Sequence, residues 1–221
     1  MIADDRTNGE TPRERISDAR LYLCCGSRES AEMESLLEQA IEGGVDVIQL
    51  REKSGGRDEI LGAAEIFRRV ADRTGALFVL NDDPELAIEV GADGVHVGQD
   101  DLASSEARRV MGEERIVGLS THREDQMEAA LVDDAIDYFS VGPVWPTPTK
   151  EGRPAAGLEY VDLAASRAGG RPWFAIGGID SSNLSEVLDH GARRVCVVRA
   201  IADAADPRSA ALALKQAILD R

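Results

Sequence analysis

The chain has 221 residues, of which 43% are hydrophobic and 30% are charged, and its formal net charge is −16. This length and composition suit one well-buried globular domain and are short for two. The acidic charge argues against nonspecific binding to nucleic acid or to an anionic membrane surface, although a local site for one small anion remains compatible with it. No apolar run approaches the roughly 20 residues that cross a bilayer.

The first residues, 1–17, are polar and partly acidic. They predict a flexible tail that is neither a signal peptide nor part of the domain at 18–221. The three cysteines, Cys24, Cys25 and Cys196, form no disulfide framework, because their number is small and odd. We predict that these cysteines are packing residues and that the protein occupies a reducing compartment, the cytoplasm.

Short apolar runs rich in β-branched residues recur along the chain and predict eight strands. In chain order these runs are 20–25, 46–50, 76–80, 93–97, 116–119, 137–141, 173–176 and 194–198. Helical patterns lie between most of them. In 30–42, for example, Met33, Leu36, Leu37, Ala40 and Ile41 fall on one face, and 57–73 and 208–220 show the same periodicity.

A faint internal repeat supports this alternation. In AIEGGVDVIQLR (40–51), AIEVGADGVHVG (87–98) and VLDHGARRVCVVR (187–199), a glycine ends a helix shortly before a buried strand. Alternating strands and helices imply a parallel sheet, and eight units in about 200 residues favour a single (β/α)8 TIM barrel over an open doubly wound sheet. No G-x-G-x-x-G follows the first strand, which weakens a dinucleotide-binding interpretation.

Polar residues follow the predicted strands at their C-terminal ends, where barrels of this kind carry their active sites. Strands 2 to 5 end in QLREK (49–53), NDD (81–83), HVGQDD (96–101) and LSTH (119–122). Strands 6 to 8 end in GPVWPTPTK (142–150), IGGID (176–180) and VVRA (197–200). These ends bring cations, carboxylates and two segments that resemble phosphate cradles to one face of the predicted barrel.

The run VWPTPTK (144–150) stands out among these strand ends. Its prolines exclude both a helix and a central strand, so it predicts a stiff loop. We expect this stiffness to hold Thr147, Thr149 and Lys150 toward the site at a low entropic cost on binding.

These motifs together resemble thiamine phosphate synthase. The resemblance covers roughly residues 18–203 and rests above all on GPVWPTPTK and GVHVGQDD, supported by QLREK, GLSTH, AIGGI and VVRAI. It implies a (β/α)8 barrel that couples a hydroxymethylpyrimidine diphosphate to a thiazole phosphate, releases pyrophosphate and uses Mg²⁺. It also implies a largely dissociative reaction, in which pyrophosphate leaves before the thiazole nitrogen captures a pyrimidine cation.

The resemblance also implies roles for individual residues. Those implied to contact the diphosphate are Arg51, Lys53, Asn81 and Lys150, with Ser120 nearby, and the catalytic set among them is Arg51, Lys53, Ser120 and Lys150. Asp82 and Asp101 would hold Mg²⁺, and Gln49 would touch the pyrimidine. The residues implied for the thiazole phosphate are Thr147, Thr149, Gly178, Val198 and Arg199.

Several of these residues also have a purely structural interpretation. Arg51 and Lys53 could be solvated surface charges, and Asp100, Asp101, Ser120 and Thr121 could cap helices. Asp83 before Pro84 predicts an N-cap. Because His96 alternates with Val95 and Val97, we predict that it is a hydrogen-bonded interior residue. We predict surface or helix-start positions for His122 and His190.

Three functions therefore compete: the synthase, a related thiazole tautomerase, and a phosphometabolite-binding barrel without catalysis. Lys53, Asn81, Asp82, Asp101 and Lys150 together favour the synthase, because a tautomerase has no diphosphate to hold. The sequence departs from the family in its first strand loop, at Asp83 and at Arg199. We expect small-molecule substrates as partners; a homo-oligomer and a carboxylated thiazole both stay open.

Overall fold

Eight parallel strands close into a barrel in sequence order, with β8 hydrogen-bonded to β1. The computed structural model describes residues 9–53, 55–147 and 154–221. The strands are β1 Leu21–Cys25, β2 Val47–Leu50, β3 Leu77–Asn81, β4 Gly94–Val97, β5 Ile116–Thr121, β6 Tyr138–Val141, β7 Trp173–Ile176 and β8 Val195–Val197. The predicted (β/α)8 TIM barrel is confirmed.

A short helix precedes β1, and the helices that follow the strands cover the outside of the barrel. Within the described residues they are α1 Pro12–Arg15, α2 Ser30–Glu42, α3 Arg57–Thr74, α4 Pro84–Glu89, α5 Ser104–Met111, α6 Glu124–Leu131, α7 Leu158–Arg167, α8 Leu184–Asp189, α9 Arg199–Ala202 and α10 Pro207–Leu219. The predicted apolar face of α2 is buried at Met33, Leu36, Leu37 and Ala40. None of the helices in the described ranges is both long enough and apolar enough to cross a membrane.

The core has two layers, because side chains alternate across the barrel wall. Outward-facing residues such as Leu23, Ile48 and Phe139 pack against the helices in the larger cluster. Inward-facing residues fill the barrel, and their cluster includes Tyr22, Val47, Leu77, Ile116, Tyr138 and Phe174. The inner layer forms the floor on which the polar strand ends stand.

Residues before β1 close the opposite, N-terminal end of the barrel. Thr11 and Glu14 form a reciprocal capping box on α1, and the Arg13 Nε lies 2.6 Å from an Asp137 carboxylate oxygen. Ile16 is only 1% exposed and belongs to the cluster inside the barrel. Residues 12–16 therefore differ from the predicted flexible tail. The side chain of Ile16 is buried at the N-terminal end of the barrel, which it closes as a plug.

This plug predicts a measurable loss of stability. Ile16→Ala should lower the free energy of unfolding by about 2–5 kcal/mol, because it removes buried methyl groups and leaves a cavity. Urea denaturation of the purified chain measures the change. Val132→Ala is the matched control, since Val132 is 80% exposed and should shift stability by less than about 0.5 kcal/mol. Equal losses in the two variants would show that Ile16 does not close the barrel.

Candidate functional site

A cavity of about 620 Å³ opens at the carboxyl ends of the strands. Its size is typical of small-molecule sites. The residues predicted for the site that line it are Gln49, Arg51, Lys53, Asn81, Asp82, Asp101, Ser120, Thr147, Gly178, Val198 and Arg199. Thr149 and Lys150 lie outside the described residues. The sequence therefore assigned the correct face of the barrel to every predicted site residue that the structure describes.

Asp82 is turned toward the cavity by an unusual backbone conformation. Its φ is +70°, a region that residues other than glycine rarely adopt and that costs about 1–3 kcal/mol. The Asp82 N–H donates to the His96 carbonyl at 2.8 Å, which fixes the turn to the neighbouring strand. Lys53 Nζ then lies 2.5 Å from Asp82 Oδ2. Two strand ends thus bring an ammonium and a carboxylate into contact at the cavity rim.

A second carboxylate, Asp101, lies beside Asp82. Burial raises the pKa of Asp82, the contact with Lys53 opposes this rise, and the negative charge of Asp101 adds to it. Asp101 Oδ2 accepts a hydrogen bond from the Gly98 N–H at 2.8 Å. The possible capping role of Asp101 is not observed, since α5 begins at Ser104 after Ala103.

The acid pair fits a divalent cation. Two neighbouring carboxylates repel each other, and a hard cation such as Mg²⁺ relieves that repulsion through oxygen ligands. Across the described ranges, no group of three or more His, Cys, Asp or Glu side chains is arranged to hold a metal. Asp82 and Asp101 would therefore need substrate oxygens and water to complete an octahedral shell, which is how Mg²⁺ commonly binds beside phosphates.

Cationic groups stand on both sides of the cavity. Arg51 follows β2, where its N–H bonds to the Cys25 carbonyl at 2.9 Å, and Arg199 is the first residue of α9 after β8. In the described parts of the chain neither guanidinium lies within ion-pair distance of a carboxylate, although Arg199 is close enough to Asp180 to help lower the pKa of that carboxyl. Both therefore remain available to an anion in the cavity, in contrast to the paired arginines of the outer helices, such as Arg69 with Glu34.

The loops after β6 and β7 are joined through their backbones. Val144 N–H donates to the Ile176 carbonyl at 2.9 Å, and Trp145 N–H donates to the Gly177 carbonyl at 3.1 Å. Gly178 has φ +69°, and a Cβ there would lie 2.8 Å from the Trp145 Cβ. Glycine is required because any side chain would be strained and would push the two loops apart. This junction fixes the segment that leads to Thr147.

A buried set of polar side chains forms the floor of the cavity. His96 contacts the Tyr138 hydroxyl through Nδ1 and the Ser120 hydroxyl through Nε2, both at 2.9 Å. The prediction that His96 is a hydrogen-bonded interior residue is confirmed. Ser120 and Thr121 do not cap a helix, because β5 continues through both of them. The N-cap prediction for Asp83 is confirmed by its bond to the Leu86 N–H at 2.9 Å.

Several residues that line the cavity, among them Tyr22, Tyr138 and His122, were not predicted as site residues from the sequence. Tyr22 and Tyr138 line it from inside the barrel, where period-two alternation was the available signal. His122 was predicted at the surface or at a helix start, and it does stand directly before Arg123, the N-cap of α6. It is partly buried, lines the cavity, and its Nδ1 lies 2.6 Å from the Gly142 carbonyl. His190 is partly exposed beside Asp162, in agreement with the predicted surface position, and it stands at the C-terminal end of α8 rather than at a helix start.

The fold and the cavity define the class of protein: a (β/α)8 barrel with a charged, concave site at the carboxyl ends of its strands, which is where enzymes of this fold work. The family model described as thiamine monophosphate synthase matches residues 21–201. The chain belongs to this family and is a transferase. Family membership thus confirms the resemblance drawn from the motifs.

Individual relatives agree over nearly the whole chain. A thiamine-phosphate synthase from Acidothermus cellulolyticus is 53% identical over 197 residues, covering 89% of this chain and 93% of that protein. One from Thermobifida fusca is 48% identical over 212 residues, covering 95% and 97%. The solved thiamine phosphate pyrophosphorylase from Pyrococcus furiosus superposes with a TM-score of 0.81 at 28% identity, covering 93% of this chain and 98% of that one.

The acid pair predicts opposite responses to two substitutions. Asp101→Asn should lower the pKa of Asp82 because a neighbouring negative charge disappears, whereas Lys53→Met should raise it because a stabilising cation disappears. Carboxyl ¹³C NMR of aspartate-labelled protein across pH measures both shifts. Asp206, at the start of α10, provides an internal control that should not move. Shifts of the same sign in the two variants would contradict the contact between these three side chains.

Proposed function

We propose that the chain couples a hydroxymethylpyrimidine diphosphate to a hydroxyethylthiazole phosphate, or its carboxylated form, and releases pyrophosphate. The observation that carries this proposal is the joint position of Lys53, Asp82 and Asp101 at one rim of the cavity. A reaction that only rearranged a thiazole phosphate would not need this group. An acid pair next to free cations suits a diphosphate bound with a divalent ion.

The diphosphate would lie over the ends of β2 to β5. Arg51 and Lys53 supply positive charge there, and Asn81 and Ser120 add hydrogen-bonding groups. Arginine suits paired contacts with phosphate oxygens, whereas lysine acts as a point charge. As the bond from carbon to the diphosphate breaks, the leaving group gains negative charge, so these residues stabilise the transition state more than the substrate.

Asp82 and Asp101 would hold Mg²⁺ at the same rim. When bound, this ion supplies charge neutralisation for the diphosphate oxygens. The Lys53 ammonium is paired with Asp82. If Asp82 held the cation, the Lys53 ammonium would be available to contact the diphosphate.

The two ring systems would occupy the middle of the cavity. Gln49 is 5% exposed on the floor and presents an amide with both donor and acceptor capacity, which suits an aminopyrimidine edge. The thiazole phosphate would lie over Gly178, Val198 and Arg199, at the ends of β7 and β8, where related barrels bind phosphate. Thr147 approaches from the loop after β6, and Thr149 and Lys150 are proposed to act beside it.

The reaction balances without a protein nucleophile. The bond between the pyrimidine methylene carbon and the diphosphate oxygen breaks, and its electron pair leaves with pyrophosphate. The aminopyrimidine ring stabilises the resulting cation by donating electron density. The lone pair of the thiazole nitrogen then forms the new carbon–nitrogen bond and leaves a thiazolium. The chain's contribution is positioning and charge stabilisation.

The direct test supplies both substrates and Mg²⁺ and measures pyrophosphate and thiamine phosphate. We expect both products in equal amounts, and loss of turnover in EDTA. Asp82→Ala and Asp101→Ala should each lower kcat at least about a hundredfold, since the acid pair positions the charge that offsets the leaving group. Leu212→Ala, on the exposed face of α10, is the control. Turnover of the thiazole phosphate alone would favour the tautomerase, and full activity in EDTA would remove the metal from the proposal.

The order of bond breaking has its own test. If the bond to the diphosphate breaks first, an electron-withdrawing substituent on the pyrimidine should slow the chemical step strongly and change binding little. Each 1.4 kcal/mol of lost cation stabilisation corresponds to about tenfold in rate. Single-turnover rates for a substituent series measure the effect. A chemical step insensitive to the substituent would indicate concerted displacement.

A further inference from the structure

A row of hydrogen bonds crosses the barrel beneath the cavity and ends at Ser120. Gln49 Nε2 donates to the Tyr22 hydroxyl at 2.8 Å, and the Tyr22 and Tyr138 hydroxyl oxygens lie 3.0 Å apart. His96 joins Tyr138 through Nδ1 and Ser120 through Nε2. The five side chains come from five different strands. Within the proposed reaction only the two ends of the row, Gln49 and Ser120, have roles.

The donors in this row all point the same way, from Cys24 toward Ser120. The Cys24 thiol donates to Gln49 Oε1 at 3.0 Å, so the amide NH₂ faces Tyr22. The Tyr22 oxygen accepts from that NH₂, and among the described residues only Tyr138 receives its proton. The Tyr138 proton then points at His96 Nδ1. Burial raises the pKa of both tyrosines well above the ordinary value, so both hydroxyls keep their protons.

The direction of the row decides what Ser120 presents to the cavity. If His96 Nδ1 accepts a hydrogen bond, the proton of the neutral ring is on Nε2, and Nε2–H donates to Ser120 Oγ. The serine proton then points away from His96. In the other tautomer the Ser120 hydroxyl would donate its proton to His96 Nε2 and would present only oxygen lone pairs to the cavity. Diphosphate oxygens accept hydrogen bonds and do not donate them, so only the first arrangement attracts them.

We propose that Tyr138 is a positioning residue that holds His96 in its Nε2–H tautomer and thereby makes Ser120 a hydrogen-bond donor to the diphosphate. The tautomer of His96 is inferred from the hydrogen bonds within the protein, whereas the contact between Ser120 and a diphosphate rests on the proposed function.

The packing around Tyr138 supports a fixed hydroxyl. A Cβ on Gly118 would overlap the Tyr138 ring, so the glycine in β5 makes room for it. The Tyr138 ring also meets Phe174 edge-on, with ring centroids 5.4 Å apart. Its hydroxyl is therefore held at the centre of the barrel, between Tyr22 and His96. A tyrosine that only filled space would not need this alignment.

Nitrogen-15 NMR of histidine-labelled protein tests the tautomer directly. The chain has three histidines, so the spectrum contains three rings, which single His→Gln variants assign. We expect His96 to be protonated on Nε2 alone. Tyr138→Phe should produce a mixture of tautomers. Tyr22→Phe is the matched control: it also removes one buried hydroxyl, but Tyr138 can still donate to Nδ1, so the single tautomer should persist.

Either of two NMR results would overturn the proposal. One is a wild-type His96 protonated on Nδ1, which is decisive even if Tyr138→Phe does not fold. The other is a folded Tyr138→Phe protein in which His96 stays wholly protonated on Nε2.

Calorimetry with inorganic pyrophosphate and Mg²⁺ tests the link to Ser120. Tyr138→Phe should weaken pyrophosphate binding about tenfold, the scale of one hydrogen bond to a charged group. In a Ser120→Ala background the same substitution should have no further effect, because the two residues act through one contact. An equal penalty in both backgrounds would overturn the role of Tyr138. A wild-type protein that binds no pyrophosphate would instead contradict the proposed function, while the NMR result would still decide the tautomer.

Discussion

Barrel closure determines which side chains can meet in this protein. Because the eight strands run parallel, their carboxyl ends lie on one rim, and because side chains alternate, every second residue points into the barrel. Tyr22 and Tyr138 are 116 residues apart in sequence, yet their hydroxyls are hydrogen-bonded. Closure thus produces a site with two levels, a hydrogen-bonded floor inside the barrel and a charged rim on the strand ends.

The end of β3 shows how local chain geometry aims a charge at this rim. Asn81 is the last residue of the strand, Asp82 adopts φ +70°, and Asp83 caps α4 ahead of Pro84. The cap and the proline fix where the helix begins, so the single residue between strand and helix must absorb the change of direction. The strain at Asp82 is offset by these neighbours, and it faces the carboxylate into the cavity beside Lys53 and Asp101.

Much of the fold and the site could be predicted from the sequence, because both depend on local patterns. Alternating apolar runs and helical faces predicted the barrel, and the polar strand ends predicted cavity residues such as Arg51 and Asp82. The plug at Ile16 was missed because a single apolar residue in a polar segment carries no periodicity. The place of His122 in the cavity wall was missed because its partner, the Gly142 carbonyl, follows the next strand, and a pattern along one strand does not report such a neighbour.

The same limitation explains why the hydrogen bonds of the floor could not be predicted, although each of its residues stands at an inward position. Alternation predicts that the Tyr138 side chain points into the barrel. It does not predict which atoms the hydroxyl contacts, because those depend on strand register. Pairing Gly118 with Tyr138 across β5 and β6 opens space for the ring, and pairing His96 with Gly118 across β4 and β5 brings the imidazole to it. One glycine in β5 therefore permits both neighbours to approach, and the hydrogen-bonded row follows from register and from the absence of a side chain at that position.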